Sequence, residues 1–134
     1  MILGIPAEIE ETETRVAIVP ESVSKLIKLG YEVQVQQDAG RRSGFKDDDY
    51  VAEGATIINS AAEVYANADV LVKVQKPITH PDGKHELEMM KKGALLISFF
   101  YGLNHPDVAQ KAAGLGVNVV SMDAIPRTTR AQRM

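Results

Sequence analysis

Short apolar runs alternate with segments of helical periodicity along the whole chain, and this alternation restricts the fold more than any other feature. The apolar runs are mostly rich in β-branched residues and nearly continuous in hydrophobicity, as expected for strands that are buried on both faces. We predict strands at residues 2–5, 32–36, 56–58, 70–74, 94–99 and 117–122. Strands that alternate with helices favour a parallel sheet covered by helices.

The segments between these runs carry helix start and stop signals. Pro20 and Glu21 open the first and Gly30 closes it, while Ser60, with Glu63 three residues later, is typical of a helix N-terminus. We predict helices at residues 20–30, 47–53, 61–66, 86–92 and 107–113. The predicted fold is therefore α/β, a Rossmann-like, doubly wound, mostly parallel sheet with helices on both faces.

The nucleotide-binding fingerprint of such a sheet is missing. No Gly-x-Gly-x-x-Gly joins a strand to a helix, and the first strand leads into the acidic segment 7–13 (AEIEETE), which would repel a pyrophosphate. The glycine-bounded, basic segment 40–44 (GRRSG) lacks the Gly-Lys-Ser/Thr ending of a phosphate-binding loop, so we interpret it as an ordinary turn. We predict that this domain has no dinucleotide loop of its own.

Composition excludes several classes of function. The chain has 134 residues, enough for one domain, and it contains no cysteine, which rules out disulfides, thiolate catalysis and thiolate metal sites. A net charge of −3 makes nucleic acid an improbable partner. No run approaches the ~20 apolar residues that a membrane-spanning helix needs, so this segment is not expected to insert into a membrane.

A few side chains are candidates for chemistry. Arg15 is expected near the edge of the sheet where ligands bind, and it could clamp a carboxylate or form a salt bridge with Glu8, Glu10, Glu11 or Glu13. Lys73 could bind an anion at the end of the fourth strand, although such lysines are more often solvated. The remaining carboxylates look solvated. The three histidines have no metal-ligand spacing, and we predict neither a catalytic group nor a metal site.

The last eight residues (RTTRAQRM) form a basic cluster with three arginines. Arginine offers a planar fork of donors for phosphate or carboxylate, and the glutamine amide can both donate and accept hydrogen bonds. Residues alone leave two interpretations open, a nucleotide contact and a solvated tail.

Several segments resemble the NAD(H)-binding alpha subunit of proton-translocating NAD(P) transhydrogenase and its relative alanine dehydrogenase. Residues 121–132 (SMDAIPRTTRAQ) are similar to the segment around the Arg-Gln-Asp loop of the transhydrogenase. Residues 4–8 (GIPAE), 13–21 (ETRVAIVPE) and 73–77 (KVQKP) resemble segments that the two groups share. The resemblance extends along the whole chain, and its C-terminal motif is the more specific one.

The resemblance implies a role for two residues. Arg127 would contact the dinucleotide or the cofactor of the partner, and Gln132 would help to seat the nicotinamide. Residues 1–126 would form the N-terminal α/β domain and residues 127–134 the start of a loop that leads to an NAD-binding domain. The implied activity is hydride transfer between NAD(H) here and NADP(H) in a partner component, coupled to proton translocation on the cytoplasmic face of a membrane complex. It also implies a homodimer, and this chain alone is not expected to be active.

Two alternatives remain. In an alanine dehydrogenase, the arginine that matches Arg15 holds the substrate carboxylate. However, Gln75 stands where those enzymes carry a substrate-binding lysine, and residues 99–102 (FFYG) lack their catalytic histidine. The other alternative is a non-catalytic module that dimerises or docks to a partner.

Overall fold

The computed structural model describes residues 1–9, 13–74, 79–81, 83–98 and 106–121. Of the predicted residues, Gln75, the segment 99–102, Arg127 and Gln132 lie outside these ranges, as does the boundary between residues 126 and 127. The strands are β1 (Ile2–Ile5), β2 (Glu32–Gln36), β3 (Thr56–Ile58), β4 (Val70–Val72), β5 (Leu95–Ser98) and β6 (Asn118–Ser121). The helices are α1 (Pro20–Lys28), α2 (Asp47–Ala52), α3 (Ala61–Asn67), α4 (Glu86–Met89) and α5 (Pro106–Leu115), and a 3-10 helix spans Arg41–Ser43.

The described strands form one sheet in the order β3-β2-β1-β4-β5-β6, and every pair is parallel. This is the strand order of a doubly wound dinucleotide-binding fold. Gly4 of β1 lies opposite Gln34 of β2 on one side and Leu71 of β4 on the other. The prediction of a Rossmann-like parallel sheet is confirmed.

Helices cover both faces of the sheet. On one face, Leu3 and Ile5 pack with Val23 of α1 and Tyr50 of α2. Gly4 points to the opposite face, where a Cβ would lie 3.0 Å from the Cβ of Ala68, so only glycine lets the end of α3 approach this closely. The core of that face joins α3, α4 and α5 to the sheet and includes Val64, Tyr65, Leu71, Leu87, Leu96, Ala112 and Val117.

The helices α1 and α3 begin at residues that the sequence marks as helix starts. Pro20 opens α1, with Glu21 in the first turn and two lysines in the last, so that charge opposes the helix dipole at both ends. The Ser60 hydroxyl accepts the Glu63 N–H at 3.4 Å at the start of α3, as the sequence predicts. No helix in the described ranges is long and apolar enough to cross a bilayer.

Six predicted elements are longer than those in the structure, namely α1, α2, α4, β4, β5 and β6. β4 ends at Val72 because the next free amide, that of Val74, donates to the Glu8 carboxylate at 2.8 Å instead of to a neighbouring strand. β5 begins at Leu95 and ends at Ser98. α4 ends at Met89 because the backbone of Met90 is extended, with φ −78° and ψ 150°. Gly93, whose φ of 87° is left-handed, then turns the chain before β5.

Candidate functional site

The C-terminal ends of β1 and β4 define the point at which the strand order reverses. To one side of β1 the chain continues to β2 and β3, and on the other side lie β4, β5 and β6. In open α/β sheets, the loops that leave such a point in opposite directions create the ligand-binding crevice. Here these loops begin with Pro6, Ala7 and Glu8 after β1 and with Lys73 and Val74 after β4.

A buried cluster of charged groups lies at this crevice. The Lys73 Nζ atom is 3.0 Å from Glu8 Oε1 and 3.3 Å from Glu86 Oε1, and the exposed fractions of the three side chains are 1%, 3% and 1%. Glu86 also faces His80, whose Nε2 atom is 2.8 Å from Glu86 Oε2. The expectation of a solvated side chain is therefore wrong for Lys73, Glu8 and Glu86. The physical reason is that Lys73 follows Leu71 by two residues and shares its buried face of the sheet.

Tyr65 of α3 closes the inner side of this cluster. Its ring meets the His80 imidazole edge to face, with centroids 6.3 Å apart. The Tyr65 hydroxyl and the hydroxyl of Ser98 are both fully buried. Burial, followed by the negative charge of Glu86, raises the pKa of Tyr65 well above its usual value, so its hydroxyl stays neutral.

The backbone amides at the mouth of the crevice are also engaged. Glu8 Oε2 accepts the Val74 N–H at 2.8 Å, and the Gln36 side chain at the end of β2 accepts the Ala7 N–H at 2.9 Å. In a dinucleotide-binding fold, amides at the first strand-to-helix turn face the pyrophosphate. Of the two engaged amides, only that of Ala7 lies at this first turn, and the Gln36 side chain occupies it. The donor that the described part of the first loop offers is therefore already used inside the domain.

Arg15 lies at the same edge and is held by an acidic neighbour. Its guanidinium donates from Nε to Glu13 Oε1 at 2.8 Å and from Nη2 to Glu13 Oε2 at 3.0 Å. The side chain of Glu13 is 4% exposed, whereas that of Arg15 is 58% exposed. The predicted salt bridge is present, with Glu13 as the partner. Arg15 also lines a largely apolar cleft of about 340 Å³ that is bordered by Val72, Val74 and Ile97.

The basic turn at residues 40–44 braces the segment that carries Arg15. The Ser43 hydroxyl donates to the Thr14 carbonyl at 2.5 Å, and Arg42 donates to the Glu13 carbonyl at 3.1 Å. Gly44 closes this turn with a φ of 87°. These contacts are those of a structural turn, as the sequence indicates.

The sequence interpretation missed Glu8, Glu86 and the burial of Lys73. A signal was present, because Lys73 directly follows the apolar strand β4 and, two residues after the buried Leu71, continues the face on which Leu71 lies. A lysine in that position must be either solvated beyond the strand end or paired in the interior. Only the tertiary position of Glu8 and Glu86, which are 65 and 13 residues away along the chain, decides between these outcomes.

Comparisons with known proteins agree with this architecture. The family model described as "Alanine dehydrogenase/PNT, N-terminal domain" matches residues 4–134. The NAD(P) transhydrogenase subunit alpha of Haemophilus influenzae is 37% identical to this chain over 134 residues, and that of Cereibacter sphaeroides is 39% identical over 134 residues. All of this chain is covered in both cases, but it spans only 25% of each relative.

Solved structures of a transhydrogenase and an alanine dehydrogenase also resemble this chain. The transhydrogenase of Sinorhizobium meliloti superposes with a TM-score of 0.87 at 34% identity, covering 100% of this chain and 38% of that one. An L-alanine dehydrogenase superposes with a TM-score of 0.78 at 30% identity, covering 90% of this chain and 32% of that one. The sequence resemblance, the strand order and these matches agree, and this chain therefore belongs to the alanine dehydrogenase/PNT N-terminal domain family.

Proposed function

We propose that this chain is the N-terminal part of the NAD(H)-binding component of an NAD(P) transhydrogenase, in which hydride passes between NAD(H) and NADP(H). The observation that carries the proposal is the similarity to transhydrogenase alpha subunits along all 134 residues. The match to an alanine dehydrogenase structure is weaker in both TM-score and coverage. The larger protein would also couple hydride transfer to proton translocation in a membrane partner, with this domain on the cytoplasmic side and the component forming a homodimer.

Within this proposal the domain does not bind the dinucleotide at its own crevice. Supporting this, Gln36 engages the Ala7 amide of the first loop, and Glu8 engages Lys73 Nζ and the Val74 amide at the end of β4. Cofactor binding is assigned to the remainder of the larger protein, together with Arg127 and Gln132. Arg127 follows the end of β6 by six residues, so the described domain would anchor the segment that carries both side chains.

Direct hydride exchange between two nicotinamides needs no acid or base from the protein. The enzyme contributes position and electrostatics, and a displacement of about 1 Å can cost roughly a hundredfold in rate. Arg127 would set the position of a cofactor phosphate or of the partner's cofactor, and Gln132 would orient the nicotinamide through its amide. Both roles are geometric, so substitution is expected to slow transfer without unfolding the domain.

The test is a reconstitution of the complete NAD(H)-binding component with the NADP(H)-binding component. The rate at which NADH reduces an NADP⁺ analogue with a distinct absorbance is measured for Arg127→Ala and Gln132→Ala. We expect each to lower the rate by at least about tenfold. The matched controls are Arg41→Ala and Gln37→Ala, which alter exposed side chains and should retain the rate.

Two results would contradict the proposal. Rates within about twofold of the unmodified protein for both substitutions would remove the assigned roles. Reduction of NAD⁺ driven by L-alanine, abolished by Arg15→Ala, would instead establish the alanine dehydrogenase alternative. Against that alternative stands the contact of Arg15 with Glu13, because a substrate carboxylate would have to displace an internal one.

A further inference from the structure

The crevice between β1 and β4 carries the parts of an anion-binding site. A cationic group, Lys73 Nζ, and a backbone donor, the Val74 N–H, converge on one position beside the first loop. Both belong to the end of β4, where the strands of an open α/β sheet present ligand-binding groups. This arrangement is independent of the proposed function.

That position is filled by a side chain of the chain itself. Glu8 Oε1 lies 3.0 Å from Lys73 Nζ, and Glu8 Oε2 accepts the Val74 N–H at 2.8 Å. Each carboxylate oxygen therefore has its own donor, and one of the donors is charged. Charge-assisted bonds of this kind are the strong contacts by which proteins recognise free carboxylates. The Glu8 side chain is 3% exposed, so it is enclosed much as a bound ligand would be.

The surroundings select the class of anion. Lys73 also lies 3.3 Å from Glu86 Oε1, so its positive charge is shared with a second buried carboxylate. His80 contacts the far oxygen of Glu86 at 2.8 Å. A further anion with two negative charges would face an excess of negative charge in a region of low dielectric constant. The site therefore suits a carboxylate with a single charge rather than a phosphate or a pyrophosphate.

We propose that Glu8 is the built-in ligand of a carboxylate-binding site formed by Lys73 Nζ and the Val74 amide at the β1–β4 crevice. The covalently attached carboxylate is present at an effective concentration far above that of any dissolved anion. Dissolved anions are consequently kept out of the crevice. When the Glu8 carboxylate is removed, a small carboxylate from solution takes its place.

The experiment compares Glu8→Ala with the unmodified protein in sodium acetate and in sodium chloride at equal ionic strength. Alanine truncates Glu8 at Cβ and so removes a group the size of acetate. The thermal unfolding midpoint and the backbone amide signal of Val74 are followed as acetate is added. Glu21→Ala is the matched control, because Glu21 is an exposed carboxylate at the start of α1. Acetamide is the uncharged control ligand.

We expect Glu8→Ala to be rescued by acetate in a saturable manner. If acetate binds with a dissociation constant of about 10 mM, roughly 100 mM acetate raises the ratio of folded to unfolded protein about elevenfold. The Val74 amide signal should move towards its position in the unmodified protein. Acetamide should have no effect on Glu8→Ala, and acetate should have none on the unmodified protein or on Glu21→Ala.

The proposal is overturned if acetate leaves Glu8→Ala unchanged. It is also overturned if acetate acts equally on all three proteins, since that would be a general ion effect. Should Glu8→Ala fail to fold, Glu8→Gln provides the test, because it retains the shape and loses the charge. Glu8→Gln must then be less stable than Glu21→Gln and must not respond to acetate, because its side chain still fills the site. Equal stability of these two variants would exclude the site.

Discussion

Replacing the buried lysine at the crevice is the strongest test of the charge cluster. Lys73→Met retains the length and the apolar stem of the side chain but removes the cation that faces Glu8 at 3.0 Å and Glu86 at 3.3 Å. At an effective dielectric constant near 20, each of these contacts corresponds to a Coulomb attraction of about 5 kcal/mol. Desolvation of the charges offsets most of this attraction, so the two contacts cannot simply be added.

The net effect is set by the carboxylates that remain without their cation. Removing one partner of a buried ion pair costs about 3–5 kcal/mol, because an uncompensated charge stays in the interior. We therefore expect Lys73→Met to lower the free energy of unfolding by about 4 kcal/mol. For a domain of this size the loss corresponds to a fall of roughly 10–20 °C in the melting temperature.

Urea denaturation at pH 7, followed by circular dichroism, measures this change. Lys25→Met on the exposed face of α1 is the matched control and should change the free energy of unfolding by less than about 0.5 kcal/mol. The triple substitution Lys73→Met, Glu8→Gln and Glu86→Gln should recover at least about half of the loss, because it removes the uncompensated charges. A loss below about 1 kcal/mol for Lys73→Met, or no recovery in the triple variant, would show that the two carboxylates do not depend on Lys73 for compensation of their charge.

Three further predictions concern the scaffold. Gly40→Ala should lower the free energy of unfolding by about 1–3 kcal/mol in urea, because a Cβ there would lie 2.8 Å from Tyr50 Cε2. Tyr50→Phe should cost about 1 kcal/mol in the same assay, because it removes the 2.8 Å hydrogen bond to the Ile18 carbonyl. Burial, followed by Asp47 and Asp49, raises the pKa of Tyr50 to about 12, so its contribution to stability is complete below pH 10 and is lost as the pH rises through 12. The pKa of Asp69 is lowered, chiefly by the hydrogen bond from the Ile2 N–H, so its contribution to the free energy of unfolding is lost as the pH falls below about 4. Asp69→Asn should therefore make the free energy of unfolding depend less on pH in acid.

Matched control substitutions separate these effects from a non-specific loss of stability. Gly114→Ala in α5 meets nothing within 4 Å and should stabilise the protein by about 0.5–1 kcal/mol, the opposite sign to Gly40→Ala. Tyr31→Phe and Asp48→Asn are the counterparts for Tyr50 and Asp69. If the loss of stability at alkaline pH is the same with and without Tyr50→Phe, Tyr50 is not its source. The same holds for Asp69→Asn and the loss of stability at acid pH.

The arrangement of elements could be predicted because it depends on local patterns. Apolar runs at residues 2–5, 32–36 and 56–58 have the bounds of β1, β2 and β3, and Pro20 marks the first residue of α1. The ends of β4 and α4 could not be predicted in the same way. The Glu8 carboxylate draws the Val74 amide away from the sheet, and no local pattern around Val74 reports that a distant acid will do so.

The candidate site was less accessible to sequence reasoning than the fold. The partner of Arg15 was among the acids proposed, because Glu13 is only two residues away and can reach the guanidinium locally. For Lys73 the sequence left two options, an anion at the end of the strand or, more commonly, solvent. Its two partners come from the first loop and from α4, which meet it only when β1 pairs with β4.

The amino-acid pattern was sufficient for the α/β class, the parallel sheet, the family resemblance and the lack of a glycine-rich nucleotide loop. All of these follow from periodicity and motifs that span a few residues each. The folded arrangement alone decided that the crevice holds the Glu8 carboxylate and that Lys73 is buried among acids. These contacts join residues 65 or more positions apart, or residues on different elements. Their geometry comes from strand pairing, and local sequence patterns do not record it.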